Sequence, residues 1–184
     1  MDLTPTPSQT VGPYLHLGLT DTRSISRVAD DRAKGERLWL TFHVLDGDGV
    51  PVPDALIELW QADSEGNYCA HESGTSFGGF GRLGTAEDGS CTFETIRPGC
   101  VPGLDGTVQA PHINVSILGR GILKRLSTRL YFEGEPANDA DPILALVPKN
   151  RLSTLLAKPD PARTGNWIFD VRLRGEGETV FFDV

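Results

Sequence analysis

The sequence predicts an all-β domain, a β-sandwich of about seven or eight strands with short helical turns in its connections and an extended N-terminal arm. Three observations carry this expectation. The 184 residues include 21 Gly and 13 Pro, too many breakers for long helices. Apolar residues recur with period two in short runs. Turn sequences such as Asp46-Gly47-Asp48-Gly49 and Glu87-Asp88-Gly89-Ser90 separate those runs. With 39% apolar and 23% charged residues, the chain has enough apolar content for one core without staples. A single domain over residues 1–184 is therefore expected, with residues 1–14 as arm and turn, 15–36 as a surface connection and 37–184 as the sandwich.

Taken in order, Met1 to Gln9 is polar and broken by Pro5 and Pro7, which forbids helix and suits an extended arm. Such an arm reads either as a segment lying on another subunit or as a frayed terminus. Thr10-Val11-Gly12-Pro13-Tyr14 closes it with a turn, and the charged stretch from Arg23 to Glu36 reads as a surface connection. Arg37 to Leu45 and Ala55 to Ala62 are predicted strands, read as antiparallel neighbours across the Asp-Gly turn. Phe80 to Thr85 and Cys91 to Ile96 read as a second hairpin. Gly78-Gly79-Phe80-Gly81 enters a strand rather than a helix, so it reads as a tight bend and not a phosphate loop. His112 to Leu118, Ser127 to Phe132, Trp167 to Leu173 and Thr179 to Val184 complete the strands. Pro142 to Val147 and Arg151 to Leu156 hold the helical turns, each too short to stand without packing.

Composition excludes several functions. A formal charge of −8, from 17 basic and 25 acidic residues with no basic block, disfavours nucleic acid and anionic membranes. Cys69, Cys91 and Cys100 are odd in number and lack C-x-x-C spacing, so neither a disulfide framework nor a zinc ribbon is expected. The N-terminus has no basic and apolar leader, and no run of about 18 apolar residues follows. A cytoplasmic chain is the expectation.

Hydrolase, zincin, Walker and dinucleotide motifs are absent from the sequence. The most chemical stretch is Ala110-Pro111-His112-Ile113-Asn114. Positions i and i+2 of a strand share a face, so His-x-His here would aim two imidazoles at one metal. This chain has His-x-Asn, and an amide oxygen is a weak ligand for iron, copper or zinc. Taken by itself, His112 therefore reads as a satisfied core histidine rather than a metal ligand.

The runs Pro7-Ser8-Gln9-Thr10-Val11-Gly12-Pro13-Tyr14, Trp60-Gln61-Ala62-Asp63 with Gly66-Asn67-Tyr68, Arg97-Pro98-Gly99, Pro111-His112-Ile113, Arg129-Leu130-Tyr131-Phe132 and Gly175-Glu176-Gly177-Glu178-Thr179 resemble the intradiol ring-cleaving dioxygenases. The resemblance runs nearly end to end and implies an intradiol-dioxygenase-like β-sandwich. Within the family it is to non-catalytic alpha chains, which pair with an iron-bearing beta chain of similar fold. Iron-bearing chains hold a non-haem Fe(III) with two tyrosinates and an H-x-H pair. Carried over by position, Tyr68 matches one tyrosine and His112 the first histidine. Val101 stands at the second tyrosine and Asn114 at the second histidine, while Gln109 replaces an arginine that stabilises substrate charge. The resemblance thus implies a vestigial pocket with no metal in this chain, and Fe(III) bound by the beta partner in an alpha/beta hetero-oligomer.

The same resemblance implies that the arm and one arginine wall the partner's substrate site, at Thr10, Gly12, Pro13, Tyr14 and Arg120. The substrates implied are protocatechuate and O2. A permanent cation at Arg120 suits a carboxylated catechol on an otherwise acidic chain. Arg120-Gly121 also reads as a solvated turn, and Tyr14 as a packing residue. A homomeric dioxygenase with an unusual iron site and a non-catalytic binding or scaffolding sandwich are the other readings of the chain.

Overall fold

The computed structural model describes residues 10–12, 15–20, 23–68 and 77–183. Expectations for Met1 to Gln9, Pro13, Tyr14 and Cys69 lie outside the described residues. Strands β1 (Arg37–Leu45), β2 (Leu56–Gln61), β3 (Phe80–Gly84), β4 (Ser90–Ile96), β7 (His112–Leu118), β8 (Leu126–Phe132), β9 (Leu156–Pro159) and β10 (Asn166–Arg172) form one sheet. Its order is β3-β2-β7-β8-β9-β10-β1-β4. The short β5 (Val101–Pro102) and β6 (Val108–Gln109) pair separately. The long sheet folds upon itself, because Leu38, Leu40, Phe42, Phe93 and Phe169 of one half share a core with Ile57, Leu59, Ile113, Val115 and Leu130 of the other. Strand β9 joins the halves, running parallel to β8 and antiparallel to β10. The all-β architecture is thus as the sequence predicts.

Pairing differs from the expected hairpins. Strand β1 pairs with β4 and β10, whereas β2 pairs with β3 and β7. Both Asp-Gly turns therefore carry the chain across from one half to the other. Alternation names which side chains face the core but not which strand lies alongside, so sequence neighbours need not pair. Among the described residues the expected last strand, Thr179 to Val184, is reduced to a bridge between Phe182 and Ser127, and Val184 lies outside them. The edge of β8 is shared, with β9 at Tyr131 and Phe132 and this segment at Ser127 and Thr128. The predicted helical turns are 3-10 segments at Leu144–Leu146 and Lys149–Leu155, joined by another at Pro136–Ala140. They pack Leu144, Val147 and Leu155 around Tyr131 as a satellite cluster. A single π-type turn spans His16–Thr20, and Val28 and Ala29, within the stretch read as a surface connection, are buried in the main core.

Two motif residues tie the halves together. Fully buried Gln61, at the end of β2, donates from Nε2 to the Ile96 carbonyl at 2.9 Å and accepts from the Thr95 hydroxyl at 2.8 Å. This pins β2 to β4 with the polar groups of all three residues matched, as a buried site requires. Arg97 lies over the rings of Phe132 and Trp167 at 4.3 and 5.3 Å and donates to Glu135 at 2.9 Å.

Beyond β2, Asp63 organises the loop that delivers Tyr68. Its Oδ1 accepts from the amides of Glu65 and Asn67, both at 2.9 Å, and its carbonyl accepts from Gly66 and Gly99. Gly66 has φ +86°, and a Cβ there would lie 1.9 Å from the Cys100 carbonyl oxygen. Only glycine meets both demands. Gly66→Ala is expected to cost roughly 2 kcal/mol or more and to lower the melting temperature by about 5 °C or more. A melt matching the parent's would show that the loop has room to spare.

Candidate functional site

Period-two alternation along β7 decides what the site is made of. Ile113, Val115 and Ile117 point into the core, so His112, Asn114 and Ser116 share the outer face. Register across the sheet then sets their neighbours. Trp60 lies beside Asn114 on one side and Arg129 on the other, and Tyr131 lies beside His112. The Asp63 loop brings Tyr68 over this face, its ring stacked on Trp60 at 5.9 Å and 13°.

Three of the predicted residues meet directly. His112, 1% exposed, donates from Nδ1 to the Ala110 carbonyl at 2.7 Å, since a carbonyl can only accept. Burial is the main cause holding its pKa below the ordinary imidazole range, and the neighbouring Arg129 cation adds to that. The ring is thus neutral, with Nε2 left as an acceptor. Tyr68 fills it, its hydroxyl 3.2 Å from Nε2, and the Asn114 amide donates to the same hydroxyl at 2.9 Å. Burial, outweighing the Asn114 bond and Arg129, raises the Tyr68 pKa, so the phenol keeps its proton. A second Asn114 bond, to the Trp60 carbonyl at 3.3 Å, fixes the amide.

Val101 and Gln109 face one another across the β5-β6 ladder, with Val101 buried. Gln109 accepts from Arg129 at 2.6 Å. Arg129 is the residue that the sequence reading passes over. It lies in a quoted motif and on the outward period of β8, but its place beside Asn114 depends on a register that the sequence does not disclose. The donor set is ill-suited to a metal ion. The Nε2 lone pair accepts the phenol proton, Asn114 turns its NH2 to the site, Val101 offers no donor, and a guanidinium adds positive charge. Among the described residues no three His, Cys, Asp or Glu side chains cluster as ligands.

Of the predicted wall residues that are described, Thr10 and Arg120 are brought near one another at another place, while Pro13 and Tyr14 lie outside the described residues. The Thr10 hydroxyl accepts from the Gly121 amide at 2.8 Å, joining the arm to the turn that carries Arg120. Gly12 closes a turn through its carbonyl and the Leu15 amide at 3.1 Å. Arg120 is exposed and forms an ion pair with Asp54, whose own backbone sits at φ 70°.

Comparison with known proteins places this geometry. The family described as dioxygenase matches residues 11–175. The chain is 45% identical to the protocatechuate 3,4-dioxygenase alpha chain of Burkholderia cepacia, over 97% of both chains. It is 35% identical to the beta chain of the same organism, over 79% of this chain and 67% of that one. Among solved structures, the dioxygenase domain of a dioxygenase carbohydrate-binding protein fusion from Streptomyces sp. SirexAA-E superposes with a TM-score of 0.65 at 31% identity. That likeness covers 94% of this chain and 99% of that one. On this fold and this extent of likeness, the chain belongs to the intradiol dioxygenase family.

Proposed function

We propose that the chain is the iron-free, alpha-type subunit of a protocatechuate 3,4-dioxygenase, an enzyme that adds both atoms of O2 to protocatechuate to give 3-carboxy-cis,cis-muconate. The observation that carries this reading is the closed set Asn114 to Tyr68 to His112 to Ala110, with Val101 beside Gln109 where a further donor would be needed. End-to-end likeness to an alpha chain, and weaker likeness to a beta chain, supports the choice of subunit. Fe(III) belongs on this reading to a beta-type partner, and Tyr68, Val101, Gln109, His112 and Asn114 form a vestigial pocket. No helix among the described residues is long and apolar enough to cross a membrane, and a cytoplasmic hetero-oligomer is the setting we propose.

This chain's contribution is shape and charge. Thr10, Gly12, Pro13, Tyr14 and Arg120 wall the partner's site, and the bond from Gly121 to Thr10 keeps the arm beside the arginine. Arg120 carries a permanent charge, and its pairing with Asp54 leaves the guanidinium directed but exposed. The pair orients the cation without burying it, so a substrate carboxylate can approach the fork's remaining N–H groups.

Two outcomes test the proposal. Oxygen uptake with protocatechuate should be absent from the purified chain and appear on co-expression with a beta-type partner; turnover by the lone chain would overturn the assignment. In the assembled enzyme, Arg120→Ala should raise KM for protocatechuate by about two- to fivefold, as befits a solvent-exposed cation. An uncharged catechol should feel less of the change. Equal effects on both substrates would remove the charge role.

A further inference from the structure

From Asn114 and Arg129, which it shares with the Tyr68 pocket, the outer face of β7 and β8 continues as a groove of about 420 Å³. Asn114, Ser116, Ser127 and Arg129 of the sheet form its floor, and the exposed Arg125 lines it together with Ile143, Phe182 and Asp183. Strand geometry sets the order of the polar groups. Arg125, Ser127 and Arg129 alternate onto one face, about 13 Å separating the two arginine Cα atoms, and Ser116 sits directly across from Ser127. Phe182 is fixed beside this floor by its amide bond to the Ser127 carbonyl at 2.8 Å.

Among the described residues, the Arg125 guanidinium and the Ser116 and Ser127 hydroxyls make no hydrogen bond or ion pair. Arg129 uses NH1 on Gln109. Four donor-bearing side chains therefore line one groove together with a phenyl ring and an isoleucine, on a chain of net charge −8. Among the described residues Asp183 is the one acidic group on the lining, and it is exposed. The Arg125 guanidinium matches a carboxylate, hydroxyls supply its remaining hydrogen bonds, and an apolar wall suits a flat carbon body.

We propose that this groove is a second ligand site, for a small arenecarboxylate of the benzoate class. Its carboxylate lies toward Arg125 and the two serines, and its ring against Phe182 and Ile143. The site stands on this chain's own residues and does not depend on the subunit assignment above. A groove walled by the sheet, Ile143 and the C-terminal segment favours a small molecule over a protein side chain presented from outside.

Calorimetric titration of the full chain with benzoate, at low ionic strength, tests it. Benzoate should bind once per chain, benzamide should bind at least about tenfold more weakly, and Arg125→Gln should weaken benzoate by a similar factor. Ser127→Ala, which leaves the backbone bridge to Phe182 in place, should weaken it by a smaller factor. Arg125 is exposed and unpaired among the described residues, so its replacement leaves the fold intact, checked by an unchanged melt. No saturable binding, equal binding of benzamide, or indifference to Arg125→Gln would overturn the site. Inorganic phosphate binding as well as benzoate would reduce it to a general anion patch and overturn the ligand class. Loss of the benzoate site on assembly with a beta-type partner would assign this face to the partner and overturn the proposal too.

Discussion

Alternation along β7 is the constraint on which core and site both depend. Ile113, Val115 and Ile117 must face inward to close the sandwich, and that places His112, Asn114 and Ser116 outward in a row. A one-residue slip would expose three core side chains and bury the imidazole and the amide in the core, so packing energy holds the functional face in register. The rest of the face follows from that choice. Trp60 and Arg129 arrive through strand pairing, and Tyr68 arrives on the Asp63 loop.

The buried imidazole of His112 needs a partner at each ring nitrogen, and the partly exposed Tyr68 phenol supplies one of them. Here the requirements cancel, because His112, Tyr68, Asn114 and the Ala110 carbonyl form one consistent chain of donors and acceptors. Removing one member would strand a buried polar group at a cost of roughly 1–3 kcal/mol. On the proposed reading, these contacts keep an ancestral metal pocket folded without metal, and Arg129 places a guanidinium cation beside it. The same stability logic explains Gln61, whose amide bridges Thr95 and Ile96 where the two halves meet.

Composition and alternation made the all-β class, seven of the expected strands and the inward faces legible. The proximity of Tyr68, His112 and Asn114 came from family resemblance together with period two, since the two β7 residues share a face whatever their neighbours. Pairing partners were not legible. The Asp46–Gly49 and Glu87–Gly89 turns look like hairpin turns locally, yet each leads to the opposite half, because the destination of a turn is set by which apolar face needs covering. The place of Arg129 was illegible for the same reason. Its outward direction could be read from β8, but its proximity to Gln109 requires the β7-β8 register and the β5-β6 ladder at once.

The central claim is that the lone pairs at this site are spent within the protein. Adding ferrous iron to the purified chain under argon, admitting air, and desalting tests it most directly. The account predicts no iron retained above the level of a Tyr68→Phe variant, and no visible phenolate-to-iron absorption. One iron per chain, with a visible band that disappears in Tyr68→Phe, would contradict it.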